Sequence, residues 1–191
     1  MVILTSFFLG LGLAASAGFR VFLPLLAMSL AAHFNFIPLA ESWAWVGSVS
    51  AILALAVASV IEILAYYIPW VDNMLDTISV PLAGIAGTLL MAVALTDVSP
   101  FLQWGLAIIA GGGAASTISA TSATTRMASS VATAGVGNPI VSTIETATAF
   151  FLSAVSILIP FLGFLMVLMV LFFIYKAYNS FKGKIGKKQV V

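Results

Sequence analysis

Ser16-Ala17-Gly18-Phe19-Arg20-Val21-Phe22-Leu23-Pro24 sits in the middle of an apolar run that extends from about Ile3 to His33. A guanidinium stays protonated at any biological pH, and insertion scales put its cost near a bilayer centre at roughly 2.5 to 3.5 kcal/mol. The opening of this stretch recurs as Ser122-Ala123-Thr124-Thr125-Arg126, again within a weakly apolar run. Two matching Ser-Ala-x-x-Arg motifs read as one site made twice.

Outward from these motifs the chain stays apolar. Of its 191 residues 62% are hydrophobic and 7% charged, with a mean hydropathy of +1.21, whereas soluble domains carry roughly 25% charged residues. The composition predicts an all-α integral membrane protein with one membrane domain over residues 1–191. The absence of cysteine excludes a disulfide framework, thiolate metal sites and a cysteine nucleophile. Val2 to Leu13 followed by Ala15-Ser16-Ala17 imitates a signal peptide but lacks the basic n-region, so the segment is expected to be retained.

Against the roughly 20 residues that cross a bilayer, six spans are predicted: about Ile3–His33, Trp43–Ile68, Ser79–Thr96, Phe101–Thr133, a fifth ending near Ile159, and Pro160 to Tyr178. Pro69 to Ile78 reads as an amphipathic link, and Trp43, Trp45, Tyr66, Tyr67 and Trp70 as interfacial aromatics. Five of the seven basic residues, Lys176, Lys182, Lys184, Lys187 and Lys188, lie near the end of the chain. The positive-inside rule makes that end cytoplasmic, and six spans then put both termini in the cytoplasm. Residues 182–191 form the basic tail.

Three spans per half, over 1–97 and 98–181, give two oppositely oriented repeats. The arginine motifs fall in the first span of each, and both spans are over-long and glycine-interrupted, at Gly10, Gly12 and Gly18 and at Gly111 to Gly113. Broken first and fourth helices in corresponding positions are the sequence pattern of a transporter site.

Unpaired buried charge is costly, so the arginines call for acidic partners: Arg126 with Glu145, Arg20 with Glu62. Asp72-Asn73-Met74-Leu75-Asp76 places two carboxylates at i and i+4, a spacing that suits a proton relay or, as a weak motif, a hard cation. Asp72 could equally cap a solvated interfacial helix. Asn138-Pro139 with Ser142 and Glu145 reads as an N-cap, a first-turn proline and a capping box. Thr117, Thr121, Thr124 and Thr125 recur at helical spacing as a hydroxyl stripe expected to face inward, either as packing surface or as a wetted path to Arg126. His33 reads as interfacial. No metalloprotease, nucleophile-elbow or phosphate-loop signature is present, so enzyme activity has little support, and no cofactor is expected.

Gly18-Phe19-Arg20-Val21-Phe22-Leu23-Pro24-Leu25-Leu26, Glu62, Ile68-Pro69, Val71-Asp72-Asn73, Leu75-Asp76 and Asn138-Pro139 with Ser142 and Glu145 together resemble the bacterial membrane family catalogued as domain of unknown function 4126. The resemblance covers nearly the whole chain and supplies no activity; it implies that the matched polar residues are those to test. The leading expectation is a small transporter or channel for an ion or small polar solute, its path lined by Arg20, Glu62, Asp72, Asn73, Asp76, Thr121, Arg126, Asn138 and Glu145. Alternatives are a lipid-acting protein, either a scramblase or a lipid-phosphate enzyme, and a non-catalytic scaffold. Expected partners are membrane lipids and the small ion or solute, with no nucleic acid; homo-oligomerisation stays open.

Overall fold

The computed structural model describes residues 2–96 and 98–188; the side chains of Val2, Pro69, Trp70, Asn73, Tyr178 and residues 180–188 lie outside that description, as does Asp97 altogether. The described chain is all-helical. The helices are α1 (Val2–Ala17), α2 (Phe22–His33), a 3-10 segment (Glu41–Gly47), α3 (Val49–Ala65), α4 (Pro69–Ala94), α5 (Pro100–Leu106), a π-helical turn (Ala107–Gly112), α6 (Gly113–Thr133), α7 (Asn138–Leu158) and α8 (Pro160–Lys188).

Among the described residues four stretches are long and apolar enough to cross a membrane: Met74–Ala94, Pro100–Thr133, Asn138–Leu158 and Pro160–Ala177. The 3-10 segment and α3, bent by 55°, make a fifth if taken as one span. The predicted link at Pro69 to Ile78 is simply the start of α4, which runs unbroken through Pro81. Proline fits the first turn of a helix, where its missing N–H would be unpaired in any case.

The predicted first span is not one crossing. Neither α1 nor α2 is long enough to cross alone, and both run along α7 in the same direction from their junction. Arg20, at that junction, meets Ser142 and Thr146 near the start of α7. Away from the junction, Gly12 of α1 packs on Ser156, while Leu30 and Ala31 of α2 line a shallow depression with Ile157 and Leu158. The two helices therefore form a hairpin, entering from the far end of the bundle and returning to it. At the far end Ser29 Oγ and His33 Nδ1 hydrogen-bond the carbonyls of Val46 and Gly47, tying α2 to the 3-10 segment. Phe8 stacks on Phe164 of α8 there, with ring centroids 4.4 Å apart.

The hairpin's first arm is the centre of the bundle. Leu9 to Ala17 are all buried, and α1 touches α4, α6, α7 and α8. Small residues permit this, as expected where packing rather than water exclusion holds helices together. A side chain at Gly10 would lie 2.7 Å from Met91 Sδ, and one at Gly18 would lie 2.7 Å from the Ala115 carbonyl. By contrast α3 packs mainly on α2 and the 3-10 segment, leaving Leu53, Val57, Val60, Ile61 and Leu64 exposed.

The predicted break at Gly111 to Gly113 is absent: Pro100 to Thr133 is one continuous helical stretch with a π turn. Gly112 and Gly113 hold helical dihedrals, and Gly111 and Gly112 are small for a different reason. A Cβ on Gly111 would come within 2.5 Å of the Gly87 carbonyl, and one on Gly112 within 2.5 Å of Thr88 Oγ1. The glycines serve the close approach of α4. The two arginine motifs consequently occupy unlike settings, one at a hairpin tip and one inside a helix. With the first run folded back on itself, the halves do not contribute three crossings each.

Candidate functional site

Six ends meet at the end of the bundle opposite the hairpin's entry: the C-termini of α1, α3 and α6 and the N-termini of α2, α4 and α7. The hairpin tip must satisfy its backbone without water, because irregular backbone in apolar surroundings is tolerated only where protein pairs it. It does so completely at the amides. Gly18, Phe19 and Arg20 donate to the carbonyls of Ala15 and Ser16 at 3.0–3.2 Å. Val21 N and Phe22 N donate to Glu62 Oε1 at 2.7 Å and Oε2 at 3.0 Å.

Glu62 is thus a clamp on the N-terminus of α2 and not the partner of Arg20. The expected Arg20–Glu62 pair is replaced by Arg20–Glu145, at 3.2 Å. Arg20 Nε donates to Thr146 Oγ1 at 3.0 Å, Nη1 to Phe19 O and Glu145, and Nη2 to Ser142 O at 2.9 Å and Ser142 Oγ at 2.5 Å. A guanidinium has five N–H donors, and every one here has a protein acceptor. Arg20 therefore latches the hairpin tip to α7 and keeps no donor for an anion.

Arg126, 2% exposed, reaches Asp72 Oδ1 at 3.3 Å, Asp76 Oδ1 at 2.8 Å and Glu145 Oε2 at 3.3 Å. Its Nε has no hydrogen-bond partner. Glu145 bridges the two arginines through Oε2, while its Oε1 accepts from Ser122 Oγ. It makes no cap at the start of α7. Asn138 likewise begins α7 without capping it; its Nδ2 instead donates to Asp72 Oδ2 at 2.7 Å and Ser130 Oγ at 2.8 Å. Asp72 sits in the first turn of α4 but turns its fully buried carboxylate into the cluster.

Tyr66, predicted at the membrane interface, is buried, and the Cζ atoms of Arg20 and Arg126 each lie 4.1 Å from its ring centroid. The negative face of an aromatic ring attracts both cations. Its position four residues after Glu62 was the available signal, since i and i+4 share a helix face. Ser122, Ser130 and Thr146 also belong to the cluster and were not singled out as site residues.

The predicted hydroxyl stripe faces the other way. Thr117, Thr121, Thr124 and Thr125 each donate to the carbonyl four residues back, in bonds at the exposed surface. The inward face of α6 is Ala115, Ile118, Ser119, Ser122 and Arg126. Thr121 is therefore not on the site. Asn73 has its side chain outside the described residues. Among the described residues no three acidic or histidine side chains are grouped to hold a metal, and both weak candidates, Asp72 and Asp76, face Arg126. Asp76, with its side chain 17% exposed, is the least enclosed of the carboxylates paired with an arginine.

What the arrangement offers chemically is a water-poor array of two guanidiniums and three carboxyls joined by ion pairs, with the Glu62 carboxylate on the hairpin amides beside it. No curated protein and no solved structure matches the chain. A family model does match, over residues 7–180, and its span includes every member of the cluster. The chain belongs to the family described as domain of unknown function 4126 (DUF4126).

Proposed function

We propose that the protein is a small membrane transporter or channel for an ion or small polar solute, with the cluster at the hairpin tip as its central site. In this reading α3, α4, the α5–α6 stretch, α7 and α8 cross the bilayer and α1–α2 is re-entrant. The lysine-bearing end of α8 is cytoplasmic by the positive-inside rule, which places the cluster toward the cytoplasm. Five crossings put the start of α1 on the opposite side, so the expectation of two cytoplasmic termini gives way.

One observation carries the reading: six ionisable side chains from the hairpin, α3, α4, α6 and α7 converge in one cluster, five of them buried and Asp76 partly exposed. Helix-to-helix stapling would need far fewer, and each buried ion costs several kcal/mol before pairing repays it. Within the cluster Arg20 is a positioning residue, because all its donors are spent on the fold. Arg126 keeps an unpaired Nε and is the residue whose neutralisation should stop passage.

The test is flux in liposomes carrying the purified protein and a trapped pH-sensitive dye, with sodium, potassium or chloride gradients imposed in turn. Wild type should exceed empty liposomes, and Arg126→Ala should abolish the excess while Arg126→Lys retains part of it. Normal flux through Arg126→Ala, or none through wild type under every gradient, refutes the proposal.

A further inference from the structure

Glu62 stands apart from the other carboxyls because, among the described residues, it forms no ion pair, whereas Asp72, Asp76 and Glu145 all reach Arg126. Arg20 and Arg126 have no charge to lend it, since the two of them already face those three carboxyls. The amides of Val21 and Phe22 satisfy its hydrogen bonds without neutralising it. A helix N-terminus offers only about half a positive charge, and here the start of α2 is offset by the C-terminus of α3, in whose last turn Glu62 lies. A buried carboxylate in that position lacks a counter-ion, and burial without one is costly.

The same carboxylate faces a cleft that the rest of the cluster does not use. Helices α3 and α4 scarcely touch, and between them lies a space of about 260 Å³ with Ala58, Ile61, Leu75, Ile78 and Leu82 among its walls and Glu62 as its only charged residue. Ile61, Ile78 and Leu82 are exposed, so in the crossing arrangement proposed above the cleft opens sideways toward lipid. From Leu75 to Leu82 it follows α4 for about 10 Å, at 1.5 Å per residue. Glu62 keeps 8% of its surface accessible, whereas Asp72 keeps none.

Cleft and carboxylate together define a ligand. Apolar walls accept an alkyl or aryl group, and the lone pairs of Glu62 that the two amides leave free accept a positive charge. No arginine or lysine lines the cleft, so a phosphate beside Glu62 would be repelled and a zwitterionic phospholipid fits less well than a free cation. Sites for drug-sized molecules start at roughly 300 Å³, which makes this one suited to a single chain or ring. The larger depression between α4 and the α5–α6 stretch, about 490 Å³, is lined by no charged residue and offers nothing to select an ion.

We propose that Glu62 and the α3–α4 cleft bind an amphiphilic organic cation, a quaternary or protonated amine bearing one alkyl or aryl group, which enters from the bilayer with its charge toward Glu62. That the bound cation is also carried across the membrane rests on the transport reading above; the binding site does not.

The probe is radiolabelled hexyltrimethylammonium, whose charge is independent of pH, measured by equilibrium binding to the purified full-length protein in dodecyl maltoside below every melting transition. Wild type should bind it saturably, with tetramethylammonium, sodium and hexanol as weak competitors. Glu62→Gln removes the charge, and Ala58→Phe fills the cleft while leaving the carboxylate in place; each should weaken binding about tenfold or more. Absence of saturable binding to wild type, undiminished binding to either variant, or displacement by tetramethylammonium, sodium or hexanol as effective as by unlabelled probe overturns the proposal. Displacement by phosphatidylethanolamine would make the occupant a lipid and overturn it as well. Should Glu62→Gln fail to fold, Ala58→Phe still decides. Binding as stated in a protein without liposome flux sinks the transport reading and leaves the cation site standing. Ion flux through a protein that does not bind the probe does the reverse.

Discussion

Glu62→Gln isolates the clamp that holds the hairpin tip. The wild-type carboxylate accepts Val21 N–H at 2.7 Å and Phe22 N–H at 3.0 Å, one on each oxygen. Glutamine has nearly the same shape but one acceptor oxygen, so one bond survives as a neutral contact and the other becomes an N–H facing an NH₂. Hydrogen bonds to charged groups are worth about 1.5–3 kcal/mol and neutral ones about 0.5–1.5. Losing one and weakening the other costs about 3 kcal/mol. For a chain of this size each kcal/mol lowers Tm by about 2–4 °C, which predicts a drop of about 6–12 °C. Tryptophan-fluorescence melting of the detergent-purified protein reads it directly. The chain has no cysteine, so Phe19→Cys adds a single thiol at the tip, and its maleimide labelling should speed up in the Glu62→Gln background. Equal melting together with equal labelling would show that Glu62 does not hold the tip, and the account of the hairpin would fail.

Three further outcomes follow from particular contacts. Gly18→Ala places a Cβ 2.6 Å from Ile118 Cβ and 2.7 Å from the Ala115 carbonyl, an overpacking that should cost about 1–3 kcal/mol in the same melt because the backbone oxygen cannot step aside. Thr121→Ala removes a hydroxyl bonded only to Thr117 O, so stability should stay within about 0.5 kcal/mol and liposome flux should be unchanged; lost flux would return Thr121 to the path. Exchanging the charges with Arg126→Glu and Glu145→Arg should not rescue the single variants. The introduced arginine would face Arg20 and the introduced glutamate would face Asp72 and Asp76, so a double variant more stable than either single one would contradict the shared bridge at Glu145.

Much of this architecture was legible in the sequence, and the failures have a common cause. Hydropathy located the helices, and Gly18 with Arg20 marked the break in the first. Hydropathy has no sign of direction, however: an apolar run of this length reads alike whether the chain continues after the break or folds back. Glycine is equally ambiguous. Gly18 sits at a real interruption, whereas Gly111 and Gly112 answer to the backbone of α4 inside a continuous helix. The threonine stripe had the right period and the wrong phase, because only the neighbours of α6 decide which face is inside. The acids and arginines were found because charge is rare in this chain, and the pairing of Arg126 with Glu145 is the one the structure has, whereas the partner of Arg20 was not found. Arg20 and Glu145 are 125 residues apart, and Glu62 went to two backbone amides whose need appears only once the chain has turned.

The hairpin has a consequence for how the chain is made. Its tip is synthesised well before its partners: Ser142, Glu145 and Thr146, which absorb most donors of Arg20, emerge about 125 residues later. At the usual ribosomal pace of about 5–20 residues per second the nascent segment waits roughly 6 to 25 s, too short in either arm to anchor itself and carrying an unmatched cation. The insertion machinery must therefore shelter this stretch until α7 arrives, so the hairpin leaves the ribosome before α7 and yet reaches its final place only after it.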